Sequence, residues 1–83
     1  MKEVIIYSTR ICPYCVRAKN FFSKKGIEYT EIMIDTDMSL MREMMEKTGR
    51  KSVPQIFIGD YHVGGFDDLI EHDMDGKLEA LLN

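Results

Sequence analysis

Cysteine is scarce in this chain. There are two, Cys12 and Cys15, and no second pair that could build a disulfide framework beneath a fold. Long apolar runs are absent as well. No stretch reaches the ~18 residues that a membrane-crossing helix needs, and no signal-peptide pattern opens the chain. The expected location is therefore the reducing cytoplasm, where a Cys-x-x-Cys pair is more often catalytic than structural. Positive charge is in deficit, with a formal net charge of −3, which argues against nucleic acid or an anionic membrane as partner. Repeats, linkers and low-complexity tracts are missing, so residues 1–83 are expected to form one domain. A chain of this size buries only about 60–65% of its unfolded surface, which limits it to one modest core.

The stretch Arg10-Ile11-Cys12-Pro13-Tyr14-Cys15-Val16-Arg17-Ala18-Lys19 carries the chemistry. An apolar run, Val4-Ile5-Ile6-Tyr7, precedes it and reads as a buried strand. A helical pattern follows, with Cys15, Ala18 and Phe22 on one face. A Cys-x-x-Cys at a strand-to-helix turn reads as a redox pair. Pro13, with its fixed φ and missing N–H, suits the first helical position. Cys12 then becomes the N-cap, its sulfur beside unpaired N–H groups and the positive end of the helix dipole. Such a setting lowers a cysteine pKa from about 8.5 into the range of about 3.5 to 7.5. Cys12 is thus the expected attacking thiolate, and Cys15, one turn inside, the resolving thiol. As a mere staple the pair would close a very short loop, worth about 2 kcal/mol, and would tie no two elements together.

Around this centre, residues 3–8 read as a central strand and 13–25 as a helix stopped by Gly26. Residues 28–34 read as a second strand, parallel to the first. Asp35-Thr36-Asp37 is a capping loop, and Leu40, Met41, Met44, Met45 and Thr48 mark one face of a helix ending at Gly49. These methionines are expected to fill core space. Pro54–Ile58 and Tyr61–Val63 form a hairpin through Gly59-Asp60, and Asp67 is expected to cap a short helix carrying Leu69 and Ile70. Leu78, Leu81 and Leu82 close the chain as an amphipathic turn. His62 and His72 fall at expected surface positions. The order β-α-β-α-β-β-α predicts an α/β fold, a four-stranded mixed sheet flanked by helices. Basic residues concentrate near the cysteines and at Arg50-Lys51, which suggests a small anionic ligand.

Three motifs in this order resemble those of the glutaredoxin family, in its small bacterial dithiol form. They are Cys12-Pro13-Tyr14-Cys15, Ser52-Val53-Pro54 and Gly64-Gly65-Phe66-Asp67-Asp68, and the resemblance covers essentially the whole chain. It implies a thioredoxin fold and glutathione-dependent reduction of protein disulfides and glutathione mixed disulfides. Glutathione would be a co-substrate, with no tightly bound cofactor and no metal. The clients would be disulfide-bearing or glutathionylated proteins, ribonucleotide reductase among them, and the default state a monomer.

The family's proline is cis and faces the cysteines, which implies the same of Pro54. The Val53 backbone would then pair with the tripeptide as an added strand, next to Ser52. Gly64-Gly65 would let the main chain approach closely, and the helix start at Phe66-Asp67-Asp68 would present N–H groups to a carboxylate. Asp67 would accept from the ligand's ammonium, and Tyr14 would pack on the ligand.

The chain departs from the family at two positions. A lysine is common three residues before the first cysteine, where this chain has Thr9; Arg50 is expected to take the glycine carboxylate instead, with Arg10 supplying field. Phe66 replaces a frequent cysteine and removes a third thiol. Two rival roles are an iron–sulfur or metal carrier, which one Cys-x-x-Cys supplies with only two ligands, and an electron donor fed by thioredoxin reductase.

Overall fold

In the computed structural model, which describes all residues 1–83, the first apolar run forms strand β1 (Val4–Ser8). Its residues alternate between two covered faces, which is why the run is apolar throughout. Helix α1 (Pro13–Lys24) follows, then β2 (Thr30–Met33) and helix α2 (Met38–Thr48). The hairpin β3 (Gln55–Ile58) and β4 (Tyr61–Gly64) leads into α3 (Phe66–Met74) and a separate short helix α4 (Lys77–Leu82). The predicted β-α-β-α-β-β-α order is present, and the closing amphipathic turn is a helix of its own, set off by Gly76.

The sheet order is β2-β1-β3-β4. β1 runs parallel to β2 and antiparallel to β3, which pairs antiparallel with β4. One face carries Val4, Ile6, Ile56, Ile58 and Val63 against Ala18 and Phe22 of α1, Leu69 of α3 and Leu78 and Leu82 of α4. The other face is smaller: Tyr7 and Ile34 pack with Met44 of α2, which is fully buried. The methionine face of α2 is therefore core, as its spacing predicts.

Boundaries differ from the sequence reading by a residue or two where the periodic pattern outlasts the ladder. Pro54 lies just before β3 and does not open it, since the ladder begins once a free N–H is available at Gln55. Asp37 caps α2 by accepting from the Ser39 N–H at 2.9 Å, and Gly49 ends it at φ 69°, a left-handed turn that glycine adopts without cost. The histidines are not free surface groups. His62 stacks on Phe57 at 5.0 Å and bonds the Gln55 side chain at 2.7 Å, while His72 meets the Asp68 carbonyl and the Tyr61 hydroxyl. Burial, with the Arg50 charge behind it, pushes the His62 pKa down.

Candidate active site

Pro13 at the first helical position starts α1 and leaves Cys12 as the N-cap, extended at φ −154°. The Cys12 sulfur accepts the Cys15 backbone N–H at 3.1 Å, and the Val16 N–H bonds the Cys12 carbonyl at 3.1 Å. The two cysteines are joined as a disulfide, with their Cα atoms 5.2 Å apart. Their exposures differ sharply. Cys15 is fully buried against the core, whereas Cys12 sits half-exposed at the rim. Only Cys12 can be reached by an incoming sulfur, and the end of a helix points its N–H groups at that sulfur.

A groove of about 270 Å³ opens beside Cys12, lined by Tyr14, Ser52, Val53, Pro54, Gly65, Phe66, Asp67 and Asp68. Larger hollows exist, such as one of about 480 Å³ lined by Met1, Lys2, Glu3, Val4, Gly26, Glu28, Tyr29 and Thr30, but they hold no cysteine. Three elements meet at the groove. The first turn of α1 supplies Tyr14, whose ring lies 6.2 Å from that of Phe66. The loop before β3 supplies Ser52 and Val53, with the Val53–Pro54 bond cis and the Val53 carbonyl 3.8 Å from the Cys12 sulfur. The β4–α3 turn supplies the far wall. There Gly64 has φ 116°, and a side chain added to it would run into the Asp68 carboxylate, whose Cγ would lie at 2.8 Å.

The sequence places Asp67 as the cap of α3 and Asp68 only in the first turn behind it. The structure reverses their roles. Gly65 is the N-cap residue, so the acidic residue at the third helical position is Asp68, which accepts the Gly65 N–H at 2.9 Å. That N–H, followed against the opposing effect of burial by Arg50, holds the Asp68 carboxyl below its ordinary range. Asp67 is exposed, its side chain makes no hydrogen bond within the protein, and it remains on the groove wall. The signal was present as the Gly-Phe-Asp-Asp spacing, but choosing between two adjacent aspartates requires knowing where the helix begins.

The two arginines assigned to the site behave differently. Arg50 reaches the groove only through Asp68, to which it is paired at 3.1 Å. Arg10 does not line the groove. Its backbone N–H and its Nε both meet Asp35, at 3.2 and 3.1 Å, and that contact lowers the Asp35 pKa. The pairing spans loops far apart in sequence, so no local pattern announces it. Below the site, Glu31 accepts from Lys19 at 2.8 Å and from the buried Ser8 hydroxyl. Burial alone would raise the Glu31 pKa; the two donors outweigh it and keep it low. The sheet offers no group of three or more side chains able to hold a metal.

A glutaredoxin family model matches residues 4–63. A glutaredoxin of Pseudomonas aeruginosa is 48% identical over 83 residues, covering 100% of this chain and 99% of that one. Glutaredoxin 3 of Escherichia coli K12 is 46% identical, covering 99% of each. Among solved structures, a glutaredoxin of Brucella melitensis superposes with a TM-score of 0.86 at 50% identity, over 99% of this chain and 89% of that one. A buckwheat glutaredoxin–glutathione complex gives 0.89 at 33% identity, over 98% and 76%. With a thioredoxin-type sheet, a helix-capping cysteine paired to a buried one, and relatives that span its full length, this chain belongs to the glutaredoxin family of dithiol oxidoreductases.

Proposed function

We propose that the protein reduces glutathione mixed disulfides and protein disulfides with glutathione as electron donor. The observation that carries this reading is the groove beside the one accessible sulfur, with the main chain of the Val53–Pro54 loop on one wall and a helix start on the other. An extended tripeptide could pair with the Val53 backbone, which leaves its cysteine sulfur near Cys12. Its γ-glutamyl end would meet the N–H groups at Phe66 and Asp67 through the carboxylate, and the Asp67 carboxylate through the ammonium. Further support comes from the buckwheat relative, which is described in complex with glutathione.

In the first mode, the Cys12 thiolate attacks the glutathione sulfur of a mixed disulfide. A new sulfur–sulfur bond forms, the old one breaks, and the client leaves as a thiolate. A second glutathione, as thiolate, then attacks that bond, and glutathione disulfide departs as Cys12 is restored. In the second mode, Cys12 bonds one sulfur of a protein disulfide and expels the other. Cys15, deprotonated, displaces the bound client, and two glutathiones reduce the resulting Cys12–Cys15 disulfide. A stabilised thiolate serves both as nucleophile and as leaving group. Such chemistry suits a reducing compartment, and a cytoplasmic location is part of the proposal.

A glutathione-coupled assay on a small glutathione mixed disulfide and on a disulfide-bonded protein tests this. Cys15→Ser should keep the first activity and lose the second; Cys12→Ser should lose both. Equal loss of the first activity in the two variants would refute the division of labour.

A further inference from the structure

Three exposed apolar side chains fall within four residues of Cys12 along the chain. Ile11 is 92% exposed, Tyr14 52% and Val16 48%, whereas the other exposed large hydrophobics, Met1, Met38, Tyr61 and Met74, are scattered over the chain. At about 100° per residue, Val16 and Tyr14 leave α1 on opposite flanks of its solvent face, with Arg17 between them. Ile11 lies just ahead of Cys12. Of this set only Tyr14 lines the groove.

Arg17 differs from the cations near it. Arg10 is paired to Asp35 and Lys19 to Glu31, while Arg17 has no carboxylate partner and lies over the Tyr14 ring at 5.1 Å. A stacked guanidinium keeps its N–H edges free and has already lost part of its motion, so a carboxylate can bind it at reduced entropic cost.

We propose that Ile11, Val16 and Arg17 form a docking surface for protein clients, separate from the groove, which favours a disulfide flanked by an apolar and an acidic residue. The inference rests on the dithiol reading above and specifies its substrate class. When Cys12 bonds a client sulfur, the neighbouring client residues must cover whatever adjoins Cys12. On this side that is apolar surface with one uncompensated positive charge. An apolar neighbour gains burial, an acidic one gains a charge-assisted hydrogen bond, and a basic one is repelled. A small glutathione mixed disulfide touches none of it.

The test is a single-turnover experiment, which needs no glutathione. Pre-reduced protein is mixed with short peptides holding an internal disulfide, flanked by Leu and Glu or by Ser and Lys, and peptide thiol release is timed. Cys12 forms the mixed disulfide, Cys15 releases the peptide as a dithiol, and the protein ends oxidised. Wild type should reduce the Leu/Glu peptide about fivefold faster. The double variant Ile11→Ser, Val16→Ser should slow on this peptide by about two- to threefold, the apolar share of that factor, yet keep the wild-type rate on the small glutathione mixed disulfide. Between peptides that both carry Leu and differ only in Glu or Lys, Arg17→Glu should reverse the wild-type preference for Glu. Thermal melts of each variant confirm folding. Equal wild-type rates on both peptides, equal slowing of peptide and small substrate in the double variant, or no reversal with Arg17→Glu would each overturn the surface. Failure of wild type on the small substrate alone would overturn the glutathione reading and leave the peptide comparison standing.

Discussion

Asp68 ties the Gly65 N–H, the Arg50 guanidinium and, through its own carbonyl, the His72 ring into one corner of the groove. Its side chain is 40% exposed, so the ion pair to Arg50 adds little to stability. The cap contributes more, and Asp68→Ala should cost about 1 kcal/mol. In a domain of this size that is a fall in Tm of about 4–8 °C. The pH dependence follows from the depressed folded pKa. Protonation occurs more readily in the unfolded chain, so the cap's contribution is complete above about pH 4 and vanishes as pH falls through the lowered folded value. Melts of wild type and variant should therefore differ by a constant amount near neutrality and converge in acid. At this scale the sequence was informative about Cys12, because Pro13 marks the helix start beside it. It misled at Asp67, because nothing local says whether Gly65 or the following residues hold the N-cap. It was silent on Arg10, whose partner Asp35 lies across two loops.

Helix α2 covers the sheet face opposite the sulfurs and does so chiefly through Met44, buried against Tyr7 and Ile34. The i, i+1, i+4 spacing of Leu40, Met41 and Met44 was enough to read this helix and its buried side. Met44→Ala should cost about 2–5 kcal/mol, a large share of the stability of a small domain. Chemical denaturation would measure that loss, while kcat/KM on a small mixed disulfide at low temperature should stay at the wild-type value, since α2 contributes nothing to the groove. Tyr7 belongs to the same layer; burial first, and the Glu43 carboxylate that accepts its hydroxyl at 2.8 Å, raise its pKa. The histidines show where element-level reading failed. His62 has the alternation of an outward residue on β4, yet Phe57 and Gln55 of the neighbouring strand cover it. Cross-strand cover of this kind depends on register, and the pairing shifts between Ile56 and Phe57.

For the molecule as a whole, the uneven placement of basic residues suggested a positive mouth on a chain of net charge −3. The structure neutralises much of it, since Arg10, Lys19 and Arg50 each face a carboxylate. Long-range attraction of an anionic substrate is correspondingly weak. Raising the salt from about 0.02 to 0.5 M should lower kcat/KM on a small glutathione mixed disulfide by less than about threefold. A steeper fall would mean that those pairs open when substrate arrives. The central place of β1 and its parallel pairing with β2 were legible, because β1 is apolar on both faces and the β1-α1-β2 unit requires parallel strands; the split of the core into two layers of unequal size was not, since it depends on how far α2 reaches across the sheet.

The complete enclosure of Cys15 has a practical side. In the reduced protein, a brief pulse of an alkylating reagent should modify one sulfur per folded molecule and two only after denaturation. The same enclosure shelters the inner thiol from peroxide, so that when the outer one is oxidised to a sulfenic acid an intact neighbour is on hand to condense with it and return the pair to a reducible state.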